Sequence, residues 1–442
     1  MALFTIILFV LVVYHHIGYP VLLKLIARYK SKKQTSVTAE YTRGFKCDKQ
    51  DETLPSIHII VPAFNEEAVI HQKVDSMGWL DYPDDKLSIS IYCDGCNDET
   101  VKRAVKSQSL FHNRDLDIRI VNIKENKGKV SIINRAIKES YADLIVFSDA
   151  SAVLSSDTLW RSAQHFMRDP EVVVVTGDYS LLTSAFNSDT NIGSEGESAY
   201  WQYQNNVRSL ESKLGAVMGV AGAYYAIRRE FCGLLEADTI NDDFIIPMRA
   251  VALGGKAIFD AEIKILETEA TPLEQDAQRR IRISQGNMQQ LIRLKSLLFP
   301  GFDLSRFWVS WMFTSGKCLR VIMPYLLITL FILSAILAFK SYFFAFLFIG
   351  QVSAYGLAML NKLVSATNGT AGIGGVFNKP LDKLFNNKIA RLVSYLCQGH
   401  LMGLIGSASY LLNTVNQYFK LRFFGIETEK RWHKVEIKKT EE

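Results

Sequence analysis

The sequence predicts an α/β fold: a parallel sheet with crossover helices, flanked by helices that enter a membrane. Strand-like and helix-like stretches alternate through residues 55–270, and long apolar runs without charge stand near both ends. Alternation of this kind is what packs parallel strands against the helices that connect them. With 48% hydrophobic residues and only 10 Pro in 442, disordered and collagen-like chains are excluded. Six Cys are too few for a small disulfide scaffold. A net charge of +5 is too mild to imply nucleic acid, and the cations gather beside apolar runs, which suits a lipid bilayer surface.

Residues 2–23 contain no acid, Lys or Arg, enough for one helical span. The cations follow the run (Lys24, Arg28, Lys30, Lys32, Lys33), so it reads as an uncleaved anchor, residues 1–33, with the following chain cytoplasmic. Pro55 and Pro62 frame the strand SIHIIV, and helix-like 66–80 follows. LSISIYCD (87–94) is the second strand, with a helix over 98–108. IRIVNI (118–123), a helix over 130–141 and DLIVFSDA (143–150) complete the series. Polar residues sit where strands end: Asn65 and Glu66, Asp94, and Asp149. Ligands of parallel α/β sheets bind beyond those carboxyl ends. Residues 289–319 mix apolar residues with four cations and two Trp, a pattern of interfacial helices (289–320) or of a buried soluble helix. Runs 321–339 and 341–361 form a helical hairpin, and 392–419, dotted with Gly, Ser and Asn, is a weaker span within a C-terminal membrane block of 321–419. Four spans would leave the basic tail 420–442 outside, unless 392–419 does not cross fully.

No GxGxxG opens the first helix and no P-loop is present. Cys93 and Cys96 form a CxxC, but no second CxxC or His pair completes a zinc set, so both are expected as thiols.

VPAFNEE (61–67), YCDGCNDET (92–100), NKGKVSIINRA (126–136), FSDAS (147–151), GVAGAYYAIRRE (219–230), NDDF (241–244) and RRIRISQGN (279–287) follow one another in a telling order. The chain thereby resembles the membrane-bound family 2 glycosyltransferases, the group of cellulose, hyaluronan and poly-N-acetylglucosamine synthases. The resemblance covers about residues 50–320, and it implies a GT-A (Rossmann-like) domain over 50–288. It implies a nucleotide-diphosphate sugar donor, Mg²⁺ or Mn²⁺, inversion at the anomeric carbon, and a glycan or lipid-linked acceptor.

Within that resemblance, Phe64 offers an aromatic face to the base, or is plain core, and Glu66 accepts from ribose or base. Asp94 holds the nucleoside. Lys129, at a helix start, reaches the diphosphate. Asp149 stands for the metal-binding DxD, but Ser151 replaces its second acid. The family's Thr-Glu-Asp becomes Asn241-Asp242-Asp243, making Asp243 the base and leaving Asp242 to cap or to bind on the acceptor side. Gly222 and Tyr224 fall where the family forms its acceptor floor. The QxxRW motif reads Arg279-Arg280-Ile281-Arg282-Ile283: Arg279 and Arg282 keep a diphosphate clamp, while Ile283 removes the indole platform. Tyr224, Tyr225 and Trp201 are the aromatics that could replace it. The expected protein is a multi-pass inner-membrane enzyme with a cytoplasmic catalytic block, extending a polysaccharide or lipid-linked glycan. The alternatives are single-sugar transfer to a polyprenyl or glycerolipid acceptor, and an inactive scaffold or transport component.

Overall fold

A computed structural model describes residues 1–33, 53–109, 116–181, 192–267, 273–299, 306–368 and 388–424. The chain opens with α1 (Ala2–Val13), which passes through a π-turn at Tyr14–Gly18 into α2 (Tyr19–Lys33). The sheet strands are β1 (Ile57–Ala63), β2 (Leu87–Asp94), β3 (Asp117–Ile123), β4 (Leu144–Phe147), β5 (Ala152–Leu154), β6 (Val172–Leu181), β7 (Tyr225–Arg228) and β8 (Lys256–Glu267). Between them lie α3 (Ile70–Met77), α4 (Thr100–Gln108), α5 (Lys129–Glu139), α6 (Thr158–Arg168), α7 (Ile192–Ser212) and α8 (Asp242–Ala252). Then follow α9 (Leu273–Arg293), α10 (Phe307–Met312), α11 (Leu319–Leu337), α12 (Tyr342–Asn368) and α13 (Lys388–Phe424).

The sheet has the order β3-β2-β1-β4-β7-β6-β8-β5. The first four strands are parallel, as the alternation predicts. β1 is covered on both faces, with Ile57, Ile59, Ile60 and Val61 at 0–1% exposure, which explains its unbroken apolar run. The sheet departs from all-parallel at β7, which pairs antiparallel with both β4 and β6. After α7, a tight turn closed by an Ala221–Tyr224 bridge leads directly into β7. That reversal sets Tyr225 opposite Phe147, bringing the Gly-rich turn to the carboxyl end of β4.

Two compact units divide the described chain. One comprises Met1–Leu22, Pro272–Arg293 and Phe313–Asn416, and the other contains the sheet, Leu23–Thr271, with Leu294–Met312. Helix α9, expected as the end of the domain 50–288, therefore belongs with the apolar helices. Residues 289–320, expected as separate interfacial helices, are the end of α9, a 3₁₀ turn at Lys295–Leu298 and the first turns of a helix running from Phe307 to Leu337. Residues 307–337 carry only Lys317 and Arg320 as charged residues, which makes this helix apolar enough to span a membrane.

Among the described residues three helices are long and apolar enough to cross a membrane: Ala2–Lys30, Phe307–Leu337 and Tyr342–Leu360. The expected fourth span, 392–419, is part of α13, a single 37-residue helix outside that set. Its polar residues meet polar partners within the unit: His400 meets His16 at 3.2 Å, and Ser407 meets the Tyr325 hydroxyl at 2.9 Å. Of the expected tail 420–442, residues 425–442 lie outside the described residues.

Candidate active site

Four loops converge beyond the carboxyl ends of β1, β2 and β4. After β1, Asn65 takes a left-handed conformation (φ 54°), tolerable for Asn, and its Oδ1 accepts the Asn97 amide at 3.0 Å. The Glu66 amide donates to Thr100 Oγ1 (2.8 Å) and the Glu67 amide to Asp98 (3.2 Å), so the loops after β1 and β2 are laced together. Phe64 and Glu66 are half-buried at this junction.

Asp94 differs from its expected role. It is 4% exposed, and its two oxygens accept the backbone amides of Lys127 and Gly128, both at 2.8 Å. It shapes the loop before α5 instead of offering an open carboxylate. Gly95 (φ 66°) fits against that loop, where a Cβ would meet the Asn126 nitrogen at 2.3 Å. The loop delivers Lys129, first residue of α5. Its Nζ lies 3.2 Å from Asp149 Oδ1 and 3.4 Å from Asp242 Oδ2. Burial would push this ammonium's pKa down, but Asp149, Asp242 and Asp243 outweigh burial and hold it well above the usual lysine range.

Asp149 lies two residues past β4. Asp242 and Asp243 open α8, whose free amides favour anionic side chains there. Gly222 joins these groups: a Cβ built on it would stand 3.3 Å from Asp149 Oδ2 and 3.2 Å from Asp243 Oδ2. The two carboxylates thus share the space over the glycine. Ser151, at the second position of the DxD pattern, turns away and donates to Glu267, which also accepts from the Tyr179 hydroxyl. Among the described residues, no group of three His, Cys, Asp or Glu could hold a metal alone. The residues still fit a hard divalent cation bound by one carboxylate and substrate phosphates, since the Asp149 side chain is 39% exposed.

Tyr224 requires a correction. It is 0% exposed, its hydroxyl bonds Ser162 (2.6 Å), and its carbonyl accepts from Thr176 (3.0 Å). The sheet is covered on both faces here, so Tyr225 is buried too, 5.1 Å from the Phe147 ring. Neither can face an acceptor. Trp201 is half-buried, edge-on to Tyr179 at 4.4 Å, with the Arg208 guanidinium over its ring. Arg279 and Arg282 stand on α9 in the other unit, where Arg282 is exposed and Ile283 is 39% exposed. Cys93 and Cys96 are free thiols, and Cys96 Sγ donates to the Ala63 carbonyl at 3.7 Å.

Lys73 is a residue the motifs did not single out. It is fully buried on α3, with Nζ 2.6 Å from both Ser148 Oγ and the Ala152 carbonyl. Burial lowers its pKa to about 7, against the opposing pull of Asp149 and Glu267. The signal was available: Ile70, Val74 and Met77 mark the buried face of α3, and Lys73 falls on it.

Residues 55–286 match the protein family described as "Glycosyltransferase like family 2". An N-acetylglucosaminyltransferase of Rhizobium meliloti (strain 1021) is 31% identical over 177 residues, 40% of this chain and 40% of the relative. A poly-beta-1,6-N-acetyl-D-glucosamine synthase of Staphylococcus aureus (strain COL) is 22% identical over 272 residues, 60% of this chain and 63% of the relative. The matches thus span less than two thirds of these relatives' length. Among solved structures, a mannosyltransferase from Pyrobaculum calidifontis in complex with GDP-Man and Mn²⁺ superposes with TM-score 0.62 at 20% identity, covering 91% of this chain and 98% of that one. At that identity the likeness establishes a GT-A fold.

Proposed function

This chain belongs to the family 2 glycosyltransferases, and from that premise we propose that it is a membrane-embedded inverting enzyme moving a sugar from a nucleotide-diphosphate donor to a growing polysaccharide or lipid-linked glycan. The observation that carries the reading is the meeting of Asp149, Asp243 and Lys129 around Gly222, assembled from segments far apart in the chain.

In this reading the laced loops at Phe64–Glu66 and Asn97–Thr100 receive the nucleoside. Lys129, held cationic by three carboxylates, turns to the diphosphate as it arrives. Asp243 takes the proton from the acceptor hydroxyl, whose oxygen then attacks the anomeric carbon from the face opposite the leaving group. The bond to the diphosphate breaks and its electron pair leaves with the phosphate oxygen, beside Lys129. Asp242, 9% exposed and 3.4 Å from Lys129, anchors that ammonium. A Mg²⁺ or Mn²⁺ ion, where used, would be held by Asp149 with donor phosphate oxygens and would stabilise the charge of the leaving diphosphate. The motif resemblance supports Arg279 and Arg282 as further forked ligands of phosphate.

The acceptor is a glycan chain in the first reading, and the two N-acetylglucosamine-named relatives support an N-acetylglucosamine donor. With Tyr224 and Tyr225 buried, the aromatic left for an acceptor ring is Trp201, which lines a cleft with Gln202, Asn206 and Ser209. The cations that follow the first apolar run support a cytoplasmic sheet unit in a multi-pass inner-membrane protein. Incubation of the purified full chain with UDP-N-acetylglucosamine, UDP-glucose and GDP-mannose, followed by mass spectrometry of products, tests the proposal. Sugar transfer to membrane acceptors is expected, and a ladder of lengths marks polymer synthesis. No transfer and no donor cleavage with any of them would overturn it.

A further inference from the structure

Lys73 is an ammonium in the wrong place for a residue that only fills space. It is 0% exposed, packed on the apolar face of α3 with Ile70, Val74 and Met77. Its described hydrogen-bond partners are one hydroxyl and one carbonyl, and the carboxylates that act on it, Asp149 and Glu267, offset only part of the effect of burial. A buried charge without a close counter-ion is costly, and a Met or Leu of similar volume would pack without that cost. The two bonds, however, bracket one segment. Ser148 immediately precedes Asp149, and Ala152 immediately follows Ser151. Lys73 thereby ties both ends of the Asp149–Ser151 turn to one point below it.

The connection continues. Ser148 Oγ accepts from Lys73 and donates its own proton to the Ala223 carbonyl at 2.7 Å. Ala223 neighbours Gly222, the floor over which Asp149 and Asp243 face each other. Among the described hydrogen bonds, this relay carries the link between the turn after β4 and the turn before β7 beyond the backbone pairing, which begins at Phe147 and Tyr225.

We infer that Lys73 is a positioning residue: it clamps the Asp149–Ser151 turn and, through the Ser148 hydroxyl, fixes that turn against the Gly222–Ala223 floor. The inference deepens the proposed function and rests on it for the activity readout alone. Stability lost to a buried charge is here exchanged for placement of a functional carboxylate, which gives a signature that ordinary core residues lack.

The test is Lys73→Met in the full-length protein in detergent. The melting temperature is expected to rise, because a desolvated ammonium is replaced by an apolar chain of similar size. Amide hydrogen exchange is expected to accelerate at least tenfold at Ala152 and Tyr224, whose amides close the two turns by bonding the Asp149 and Ala221 carbonyls, while the rest of the sheet is unchanged. With whichever of UDP-N-acetylglucosamine, UDP-glucose or GDP-mannose is turned over, kcat should fall at least tenfold. Ser148→Ala, which leaves Lys73 and the core intact, should accelerate exchange at Tyr224 more than at Ala152. Unchanged exchange at both amides in both variants, or a lowered melting temperature with faster exchange throughout the sheet, would overturn the inference. Should the wild type turn over none of the three donors, the proposed function fails, and the exchange data still decide the role of Lys73.

Discussion

Substituting Gly222 offers the sharpest examination of the carboxylate pair. Gly222 does not have the left-handed φ that would forbid a side chain, so Ala can adopt the native backbone. Its methyl would stand 3.2 Å from Asp243 Oδ2, 3.3 Å from Asp149 Oδ2 and 3.4 Å from Asp243 Cβ. Those contacts are tight without being impossible, and each neighbour must give by a few tenths of an ångström. Stability should change little: loss of backbone freedom in the unfolded chain favours Ala by roughly 0.4–1 kcal/mol, which offsets the crowding. Catalysis is less forgiving. A misplacement of about 1 Å can cost about 10²-fold, so displacements of this size predict a loss of about three- to tenfold in kcat/KM. Gly222→Val fills the shared space and should lower transfer more than about a hundredfold on the same scale. Gly233→Ala, where a Cβ meets nothing within 4 Å, serves as the control and should match wild type. Sugar transfer assays run beside thermal melts separate the two effects. Wild-type transfer by Gly222→Val, or a fall in activity of Gly222→Ala that merely follows its melting temperature, would show that the two carboxylates do not act across this glycine.

Three further expectations come from the same geometry. Asp243→Asn should lower the transfer rate by about 10²–10⁴ while donor affinity stays near wild type, because shape is kept and the proton acceptor removed; near-normal turnover would take Asp243 out of the mechanism. Arg282→Ala should abolish transfer, whereas Ile283→Ala should alter acceptor use by less than about tenfold, the scale of a stacking contact; equal losses in a transfer assay would contradict the split between phosphate clamp and acceptor wall. His58 is 6% exposed, bonded to Ser90 Oγ at 2.8 Å, and held neutral with its pKa pushed down to about 4, chiefly by burial and then by Arg119. As pH falls from about 6.5 towards 4, the unfolded chain takes up a proton that the folded one refuses, so stability should decline by up to about 3 kcal/mol. Urea titrations at pH 7 and 4.5 measure this, and His58→Gln should remove the decline; an equal acid loss in that variant would assign it elsewhere.

How far the fold could be read in advance depends on where the information lies. Continuous Ile and Val runs fixed the first four strands closely, and Leu87–Asp94 matches residue for residue. The ends of those strands located Asp94 and Asp149. What eluded the reading is everything decided across long sequence distances. Nothing in GVAGAYYAIRRE distinguishes a tyrosine facing a ligand from one facing core; the antiparallel entry of β7 into a doubly covered sheet decides it. The polar string HQKVD hides a buried ammonium whose acceptors lie 75 and 79 residues onward. Asp94, expected to hold the nucleoside, is found tying the loop before α5, a task that a strand-end carboxylate performs without leaving any trace in the sequence.

The close seat of α9 against α13 bears on how such enzymes can be recombined. A Cβ on Gly406 would fall 2.4 Å from the Ile281 carbonyl oxygen and 2.7 Å from Ser284 Cβ, Ser284 Oγ donates to the Gly403 carbonyl at 2.8 Å, and Arg280 lies 4.7 Å above the Tyr395 ring. Gly406 lies against the α9 backbone and the Ser284 Cβ, a fit that leaves no room for a side chain at position 406. A chimera that grafts a relative's sugar-selecting sheet onto this chain should therefore be cut between β8 and α9, leaving the arginine-bearing helix with its native partner. A graft that imports α9 with the sheet would bring foreign side chains against Gly403 and Gly406 and fail at assembly, before its choice of sugar could be assayed.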